Sequence, residues 1–308
     1  MDINKIYVVS PHGFCAGVAR AIDTVEKVLH KHGRPVYVRH HIVHNVHVVK
    51  DFEKKGVIFV EDIDKVPPRS VVVFSAHGSP PELYIKAHNN KLTLYDATCP
   101  LVTKVHLEAK RYAGEGYHII YIGYKGHAEG IGVMGEVSED SITQVDSVND
   151  VGHLLIPPQK KIVILTQTTL SLDDIKGVVG AIQKKYPHSI LPPALDICYA
   201  TQNRQNAVKI LAKKAKLILV IGSKASSNSN KLREVAEKTG AKAYLIDDET
   251  DIDPEWLKNV QEIGITAGAS VPEKLVRGVI DFLSNNNTVI EYMETAKEAA
   301  IFSLPKNL

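Results

Sequence analysis

The sequence is poor in cysteine, with three residues in 308, and it contains no long apolar run. A small, odd number of cysteines argues against a secreted domain held together by disulfides. No run approaches the roughly 18 apolar residues that a membrane-spanning helix needs. The first residues, "MDINKIYVVS", lack the apolar core of a signal peptide. We therefore expect a cytoplasmic protein whose thiols are available for metal binding or catalysis.

Charge of either sign is also not in excess. Lys and Arg number 37 against 35 Asp and Glu, and aromatic residues make up only 6% of the chain. Proteins that bind nucleic acid or anionic membranes generally carry a basic patch and a basic excess. The composition therefore predicts neither a nucleic acid nor a membrane as partner, and the length favours two or three domains.

Short β-branched runs alternate with amphipathic helical patterns along most of the chain. The runs are Ile6–Val9, Val71–Phe74, Leu92–Tyr95, His118–Ile122, Ile162–Leu165, Leu217–Ile221 and Glu262–Thr266. This alternation predicts an α/β fold with mainly parallel sheets flanked by helices. Ligands of such sheets bind beyond the carboxyl ends of the strands, so the turns after the strands are the candidate functional segments.

Each cysteine is followed by two polar turns at similar offsets. His44 and His77 follow Cys15, His127 and Thr168 follow Cys99, and Ser226 and Ser270 follow Cys198. The repetition predicts three similar α/β units of domain size. Their ranges are 14–97, 98–194, and 195–283 together with 1–13, and a C-terminal tail follows at 284–308. Pseudo-threefold packing of these units would bring the three cysteines to one central point.

Three converging cysteines allow several interpretations. Structural zinc sites generally use close C-x-x-C pairs, which this sequence lacks. An iron–sulfur cluster normally takes four cysteines, and with three it keeps one exchangeable iron position. Free cysteines are also often small buried apolar residues. Against that last interpretation, all three precede predicted helices, where thiolates are favoured; Pro100, for example, marks a helix start directly after Cys99.

Nine motifs occur in order between residues 13 and 273. They are "GFCAGV", "VHN", "AHG", "DATCPLVTKVH", "GH-x-E", "TQTTLS", "DICYATQNRQ", "SSNS" and "TAGAS-x-PE". Together they closely resemble the 4-hydroxy-3-methylbut-2-enyl diphosphate reductase family (LytB), which catalyses the last step of the methylerythritol phosphate route to isoprenoids. The resemblance implies a clover of three α/β domains around a [4Fe-4S] cluster with one open iron position. It also implies an allylic diphosphate substrate and reduced ferredoxin or flavodoxin as electron donor.

The site residues implied by the resemblance fall on the matching motif positions. The cluster ligands match Cys15, Cys99 and Cys198, and the proton-delivering glutamate and neighbouring threonine match Glu129 and Thr168. The substrate-binding positions match His44, His77, His127, Ser226, Ser227, Asn228 and Ser270. Ala225 and Ala128 depart from the residues usual in the family, but neither is a matched catalytic position.

Other functions and plainer structural roles remain open at this point. A non-redox hydro-lyase could use the same cluster as a Lewis acid, and a cluster-bearing sensor or zinc protein would not need the diphosphate-binding turns. Ser79 and Ser270 both fit the S-x-x-E capping box, and His106 is expected to be a structural helix residue. His40, His41 and His47 match no motif and are expected to be surface or packing residues. We expect Glu129 to lie in a flexible turn between glycines.

Overall fold

The computed structural model describes residues 3–194 and 196–308, so residues 1 and 2 and the predicted boundary at residue 195 lie outside it. The strands are β1 (Lys5–Ser10), β2 (Val36–Arg39), β3 (Val57–Val60), β4 (Val71–Phe74), β5 (Thr93–Asp96), β6 (Tyr117–Ile122), β7 (Ile142–Val145), β8 (Lys161–Thr166), β9 (Leu217–Ile221), β10 (Lys242–Ile246), β11 (Glu262–Ala267) and β12 (Val289–Glu294). The α-helices are α1 (Ala16–His32), α2 (Val46–Lys54), α3 (Pro81–Asn89), α4 (Pro100–Gly114), α5 (Ala128–Met134), α6 (Val148–Gly152), α7 (Leu172–Lys185), α8 (Tyr199–Leu211), α9 (Ser227–Lys238) and α10 (Glu273–Leu283). Within the described ranges, no helix has the length and apolar character required to cross a membrane.

The first compact unit comprises Met1–Val18, His44–Lys50 and Tyr199–Ile301 and contains a five-stranded parallel sheet. The strand order is β10-β9-β11-β1-β12. In β1, Ile6 and Val8 pack into the core on the α10 side, whereas Tyr7 and Val9 pack on the side of α8 and α9. Both faces of the strand are thus covered, which explains its continuous apolar run.

The segment predicted to be a C-terminal tail contributes an edge strand to this sheet. Strand β12 pairs in parallel with β1, with Lys5 opposite Val289 and Ser10 opposite Glu294. Beyond the strand, the Thr295 N–H donates a hydrogen bond of 2.9 Å to the Ser10 carbonyl. The alternation of exposed and half-buried residues in β12 fits an edge strand.

The second compact unit comprises Ala19–Val43, Asp51–Cys198 and Phe302–Leu308 and contains two parallel sheets. Their strand orders are β3-β2-β4-β5 and β7-β6-β8. In β6, Ile119 and Tyr121 pack on the α4 side and Ile120 and Ile122 pack on the α7 side. This alternation again produces a strand that is apolar on both faces.

All seven predicted strands are present, and the predicted α/β class with parallel sheets is confirmed. Each sheet draws its strands from one predicted unit, apart from β12, which comes from the predicted tail. By compactness, however, the chain divides into two units, and the first two predicted units fall largely within one of them. The three-domain boundaries therefore stay a prediction.

Candidate active site

Glu129 and Thr168, the two predicted catalytic residues, are hydrogen-bonded to each other in the second unit. The Thr168 backbone N–H donates a hydrogen bond of 2.7 Å to Glu129 Oε1, and the Thr168 hydroxyl donates one of 2.8 Å to Oε2. Both side chains are buried, and only 2% of Glu129 is exposed. Because both carboxylate oxygens accept a hydrogen bond from one residue, the carboxyl group is held in a single orientation.

The local backbone around Glu129 differs from the prediction. Glu129 lies in the first turn of α5, whose N-cap residue is His127. The Nδ1 atom of His127 accepts a hydrogen bond of 3.3 Å from the Glu129 N–H and so satisfies one of the unpaired donors at the helix start. The expected flexible turn was wrong, because His127 acts as the cap although histidine is not a usual N-cap residue.

The environment of Glu129 makes it suitable as a proton donor. Burial raises the pKa of its carboxyl to about 7, and the charge of Asp196 also raises it. The hydrogen bonds from Thr168 oppose this shift, because they stabilise the ionised form. A carboxyl group with this pKa is about half protonated at neutral pH, which suits a general acid.

His127 is held in its neutral form. Burial lowers the pKa of its imidazole to about 4, and the charge of His40 also lowers it. Because Nδ1 accepts the N–H of Glu129, the proton of the neutral ring resides on Nε2. His127 therefore presents an uncharged donor to a ligand at neutral pH.

His77 follows β4 and lies close to two other histidines of the same unit. Its ring centroid is 6.2 Å from that of His127 and 5.5 Å from that of His40, both in edge-on geometry. The Nδ1 atom of His40 also lies within hydrogen-bond distance, 3.0 Å, of the Glu61 carboxylate. The contact with the His77 ring agrees with the expectation that His40 is a surface or packing residue. His40 directly follows β2, a strand that the sequence analysis did not predict.

The backbone N–H groups of Cys99 and Cys198 donate hydrogen bonds to the turns that carry His77 and Thr168. The Cys99 N–H donates a hydrogen bond of 3.0 Å to the carbonyl of Ala76, next to His77. The Cys198 N–H donates one of 3.1 Å to the Thr168 carbonyl. Both residues are half-buried cysteines outside any disulfide of the described chain, and each directly precedes a helix, α4 or α8. In this unit, two of the predicted ligands thus lie beside the predicted catalytic turns.

Asp196, the first residue of the "DICYATQNRQ" motif, fixes the end of β8. Its Oδ2 accepts a hydrogen bond of 2.9 Å from the Thr166 N–H, and its Oδ1 accepts one of 3.0 Å from Lys104 Nζ. Burial, followed by a shared hydrogen bond with Glu108, raises the pKa of the Asp196 carboxyl. The sequence analysis missed this residue, although its position within a matched motif could have indicated it.

The first unit brings together most of the predicted diphosphate-binding residues. The Ser270 hydroxyl donates a hydrogen bond of 3.0 Å to the His44 carbonyl, and Asn228 Oδ1 accepts one of 3.0 Å from the Ala269 N–H. The Ala269 carbonyl in turn accepts a hydrogen bond of 3.2 Å from the Cys15 N–H. The turn after β11 therefore connects Cys15 with three of the predicted binding residues.

Ser226, Ser227 and Asn228 form the start of α9. Ser226 is its N-cap residue and accepts a hydrogen bond from Ser229 N–H, and the first turn contains no acidic residue. The Nδ2 atom of Asn228 is buried and has no partner among the described residues. A helix N-terminus without an acidic residue, with hydroxyls and an unused amide donor, is suited to an anionic ligand.

The predicted capping roles of Ser79 and Ser270 were both wrong. Helices α3 and α10 begin after Pro80 and Pro272, and neither has a side-chain cap. The Ser79 hydroxyl is buried and unpaired within the described part of the chain. Proline at the position before the helix displaces the serine from the N-cap site in both cases.

Arg204 is a further residue that the sequence analysis missed. It is 1% exposed on α8, donates a hydrogen bond of 2.8 Å to the Gly13 carbonyl, and forms an ion pair of 2.9 Å with Glu298. A buried guanidinium is stable only when it is paired and hydrogen-bonded in this way. The predicted tail, through Glu298, thus helps to fix the loop that carries Cys15.

Comparison with known proteins gives a consistent match. The model of the LytB protein family matches residues 6–284. A curated relative from Mycobacterium tuberculosis (strain H37Rv), 4-hydroxy-3-methylbut-2-enyl diphosphate reductase 2, is 48% identical over 306 residues, which are 99% of this chain and 91% of the relative. A relative of the same name, without a number, from Azoarcus sp. (strain BH72) is 47% identical over 309 residues, or 100% of this chain and 99% of the relative.

Two solved structures are also similar. The structure of E-1-hydroxy-2-methyl-but-2-enyl-4-diphosphate reductase from Plasmodium falciparum has a TM-score of 0.96 at 42% identity and covers 99% of this chain and 96% of that chain. A structure of (E)-4-hydroxy-3-methyl-but-2-enyl diphosphate reductase, described as the terminal enzyme of the non-mevalonate pathway, has a TM-score of 0.66 at 31% identity. It covers 91% of this chain and 99% of that chain.

Proposed function

Because this chain belongs to the LytB family, we propose that it performs the family reaction, the reductive dehydroxylation of 4-hydroxy-3-methylbut-2-enyl diphosphate. The products are isopentenyl diphosphate and dimethylallyl diphosphate, and the reaction is the terminal step of the non-mevalonate pathway. The allylic C–O bond breaks with uptake of two electrons and two protons, and the oxygen leaves as water.

The observation that carries this proposal is the buried Glu129–Thr168 pair. Hydroxide is a poor leaving group, so the departing oxygen needs a proton donor that is protonated at neutral pH. The Glu129 carboxyl has the required pKa of about 7, and its orientation is fixed by Thr168. Glu129 therefore donates the proton, and the Thr168 hydroxyl orients the substrate hydroxyl or passes the proton on.

The diphosphate is bound by the residues that the resemblance implies. In the first unit these are His44, Ser226, Ser227, Asn228 and Ser270, and in the second unit His77 and His127. The unused Asn228 amide and the α9 N-terminus provide donors without a competing carboxylate. Neutral His127 adds a hydrogen-bond donor whose protonation state does not change near neutral pH.

Cys15, Cys99 and Cys198 hold an iron–sulfur cluster, which we take to be [4Fe-4S] with one open iron position. The donor set fits this group, because all three cysteines lie outside disulfides among the described residues, are half-buried and directly precede a helix, where the thiolate form is favoured. When bound, such a cluster supplies electrons one at a time and a Lewis-acidic iron. Reduced ferredoxin or flavodoxin is the electron donor, and the cytoplasm is the cellular location.

An anaerobic assay with the purified, iron-loaded protein tests the function. We expect the hydroxylated diphosphate to be converted to the two isomeric products only when a reduced ferredoxin or flavodoxin is supplied. Equal turnover without reductant would instead indicate a non-redox hydro-lyase. Absence of any conversion, with the cluster intact and the donor shown to be competent, would contradict the proposal.

A further inference from the structure

The imidazole ring of His106 fills the space beside two glycines of the second unit. A Cβ atom placed on Gly78 would lie 2.7 Å from His106 Nε2, and one placed on Gly132 would lie 2.9 Å from Cε1 and 3.0 Å from Nε2. Any larger residue at either position would therefore collide with the ring. Gly78 also has a φ of +84°, which a side chain rarely tolerates.

The ring itself is held firmly in place. His106 lies on α4 and is 7% exposed, and its Nδ1 is 2.7 Å from Glu136 Oε1. The second oxygen of Glu136 lies 2.6 Å from the Nζ of Lys110, one turn further along α4. A ring that is buried and oriented by a charged partner on one side acts as a fixed spacer on the other.

The two glycines belong to the segments that carry the site residues. Gly78 directly follows His77, and Gly132 lies on α5 three residues after Glu129. The same segments also meet directly, since a Cβ atom on Gly135 would lie 2.5 Å from Pro80 Cβ. The position of the His77 turn relative to α5 thus depends on close packing in which the His106 ring contacts both segments.

We infer that His106 is a positioning residue, which keeps His77 and Glu129 at their working separation by packing against Gly78 and Gly132. The inference rests on the proposed function for the roles of His77 and Glu129. Loss of the ring would allow the His77 turn and α5 to approach or separate. Misplacement of a reacting group by about 1 Å can cost on the order of a hundredfold in rate.

Three variants separate this role from ordinary core packing. His106→Asn retains a side-chain donor for Glu136 but removes the outer half of the ring. Gly132→Ala adds a methyl group that collides with the ring, and the double variant places that methyl in the space the ring has left. His118→Asn is the matched control. His118 is also buried and its ring nitrogens form two hydrogen bonds, but it lies near the start of β6, outside the two segments that carry His77 and Glu129.

The measurements are kcat per iron-loaded protein, KM, the melting temperature, and hydrogen exchange in residues 75–80 and 127–136. We expect each single variant to lose about tenfold to a hundredfold in kcat and to raise KM. Exchange should become faster in both segments, and the double variant should recover at least part of the loss. The His118→Asn control should lower the melting temperature without changing kcat per loaded protein.

Normal kinetic constants and normal exchange in His106→Asn would overturn the inference while leaving the proposed function intact. The same holds if the losses of the two single variants simply add in the double variant, because contacting residues should be coupled. Failure of the parent protein to turn over the diphosphate would instead contradict the proposed function. In that case the exchange data alone still test the packing of His106 between the two segments.

Discussion

Glu129 and Thr168 are joined by two hydrogen bonds, one from the threonine backbone and one from its hydroxyl. The pair is buried, and it combines a carboxyl group of raised pKa with a hydroxyl that can accept a second hydrogen bond from a ligand. The strongest tests of the proposed mechanism therefore concern these two residues.

Glu129→Gln should leave the protein folded and iron-loaded but reduce turnover by about 10²–10⁴-fold. The amide keeps the size of the side chain and can still accept the Thr168 N–H, but it cannot donate an acidic proton. Iron content, substrate affinity and kcat should be measured on the same preparation. Turnover at the parent rate would show that the proton comes from another group.

Thr168→Val should shift the pH dependence of kcat, and Thr168→Ser is its matched control. The Thr168 hydroxyl lowers the pKa of Glu129, so its removal should raise that pKa above about 7. Activity that needs the protonated carboxyl declines as pH rises through this pKa. The decline should move to higher pH in the valine variant, at a lower maximal rate, and stay in place in the serine variant. A shift to lower pH would contradict the assignment.

His127→Asn should change the pH dependence of stability. The pKa of His127 falls from 6.5 to about 4 on folding, so its stabilising contribution is fully present above pH 6.5. That contribution is lost as pH falls from about 6.5 towards about 4, by on the order of 3 kcal/mol. Asparagine can still cap α5 but does not titrate. Denaturant unfolding at several pH values should therefore show the parent losing stability relative to the variant on acidification; parallel curves would refute the shift.

Asn228→Ala should weaken diphosphate binding without affecting iron content. A hydrogen bond to a charged group contributes about 1.5–3 kcal/mol, which is roughly tenfold to more than a hundredfold in affinity. Thr239→Ala, at the other end of α9, removes a hydroxyl that donates a hydrogen bond to the Val235 carbonyl, and it serves as the control. Titration calorimetry with the substrate or with inorganic diphosphate measures the affinity of each variant. Equal affinities for the two variants would remove Asn228 from the binding site.

Replacement of any one of Cys15, Cys99 and Cys198 by serine should strip iron from the protein and abolish turnover. A serine hydroxyl is a much weaker ligand for iron than a thiolate. Iron per chain and visible absorbance should be measured after anaerobic reconstitution. Full iron content and activity in any single variant would exclude that cysteine as a ligand.

Six of the seven predicted strands contain at least three consecutive buried residues, and the five strands that the sequence analysis missed do not. Strands such as β9, with all five residues buried, produce an unbroken apolar run that needs no further information. Strands β2 and β12 alternate between buried or half-buried and more exposed residues, and short alternating runs are hard to separate from loops. The assignment of β12 depends on pairing with β1, which lies almost 300 residues earlier in the chain.

The candidate site residues could be named from the sequence, because nine ordered motifs match the LytB family and the matched residue types suit iron ligation, diphosphate binding and proton transfer. The environment of these residues could not be predicted from the sequence. The raised pKa of Glu129 depends on burial, on Asp196 and on Thr168, and all three are set by packing between distant segments. The helical backbone at Glu129 likewise depends on a cap from His127 that no common capping rule indicates.

The sequence by itself thus determined the α/β class, because apolar periodicity is a local property, and it identified the candidate site residues, because they lie in short ordered motifs that resemble those of a known family. Only the tertiary structure decided that His40 approaches His77, that Arg204 donates a hydrogen bond to the Gly13 carbonyl, and that the His106 ring packs against both Gly78 and Gly132. These relationships join residues far apart in the chain. They arise from close packing and from the need to pair buried charges, which become definite only when the whole unit is folded.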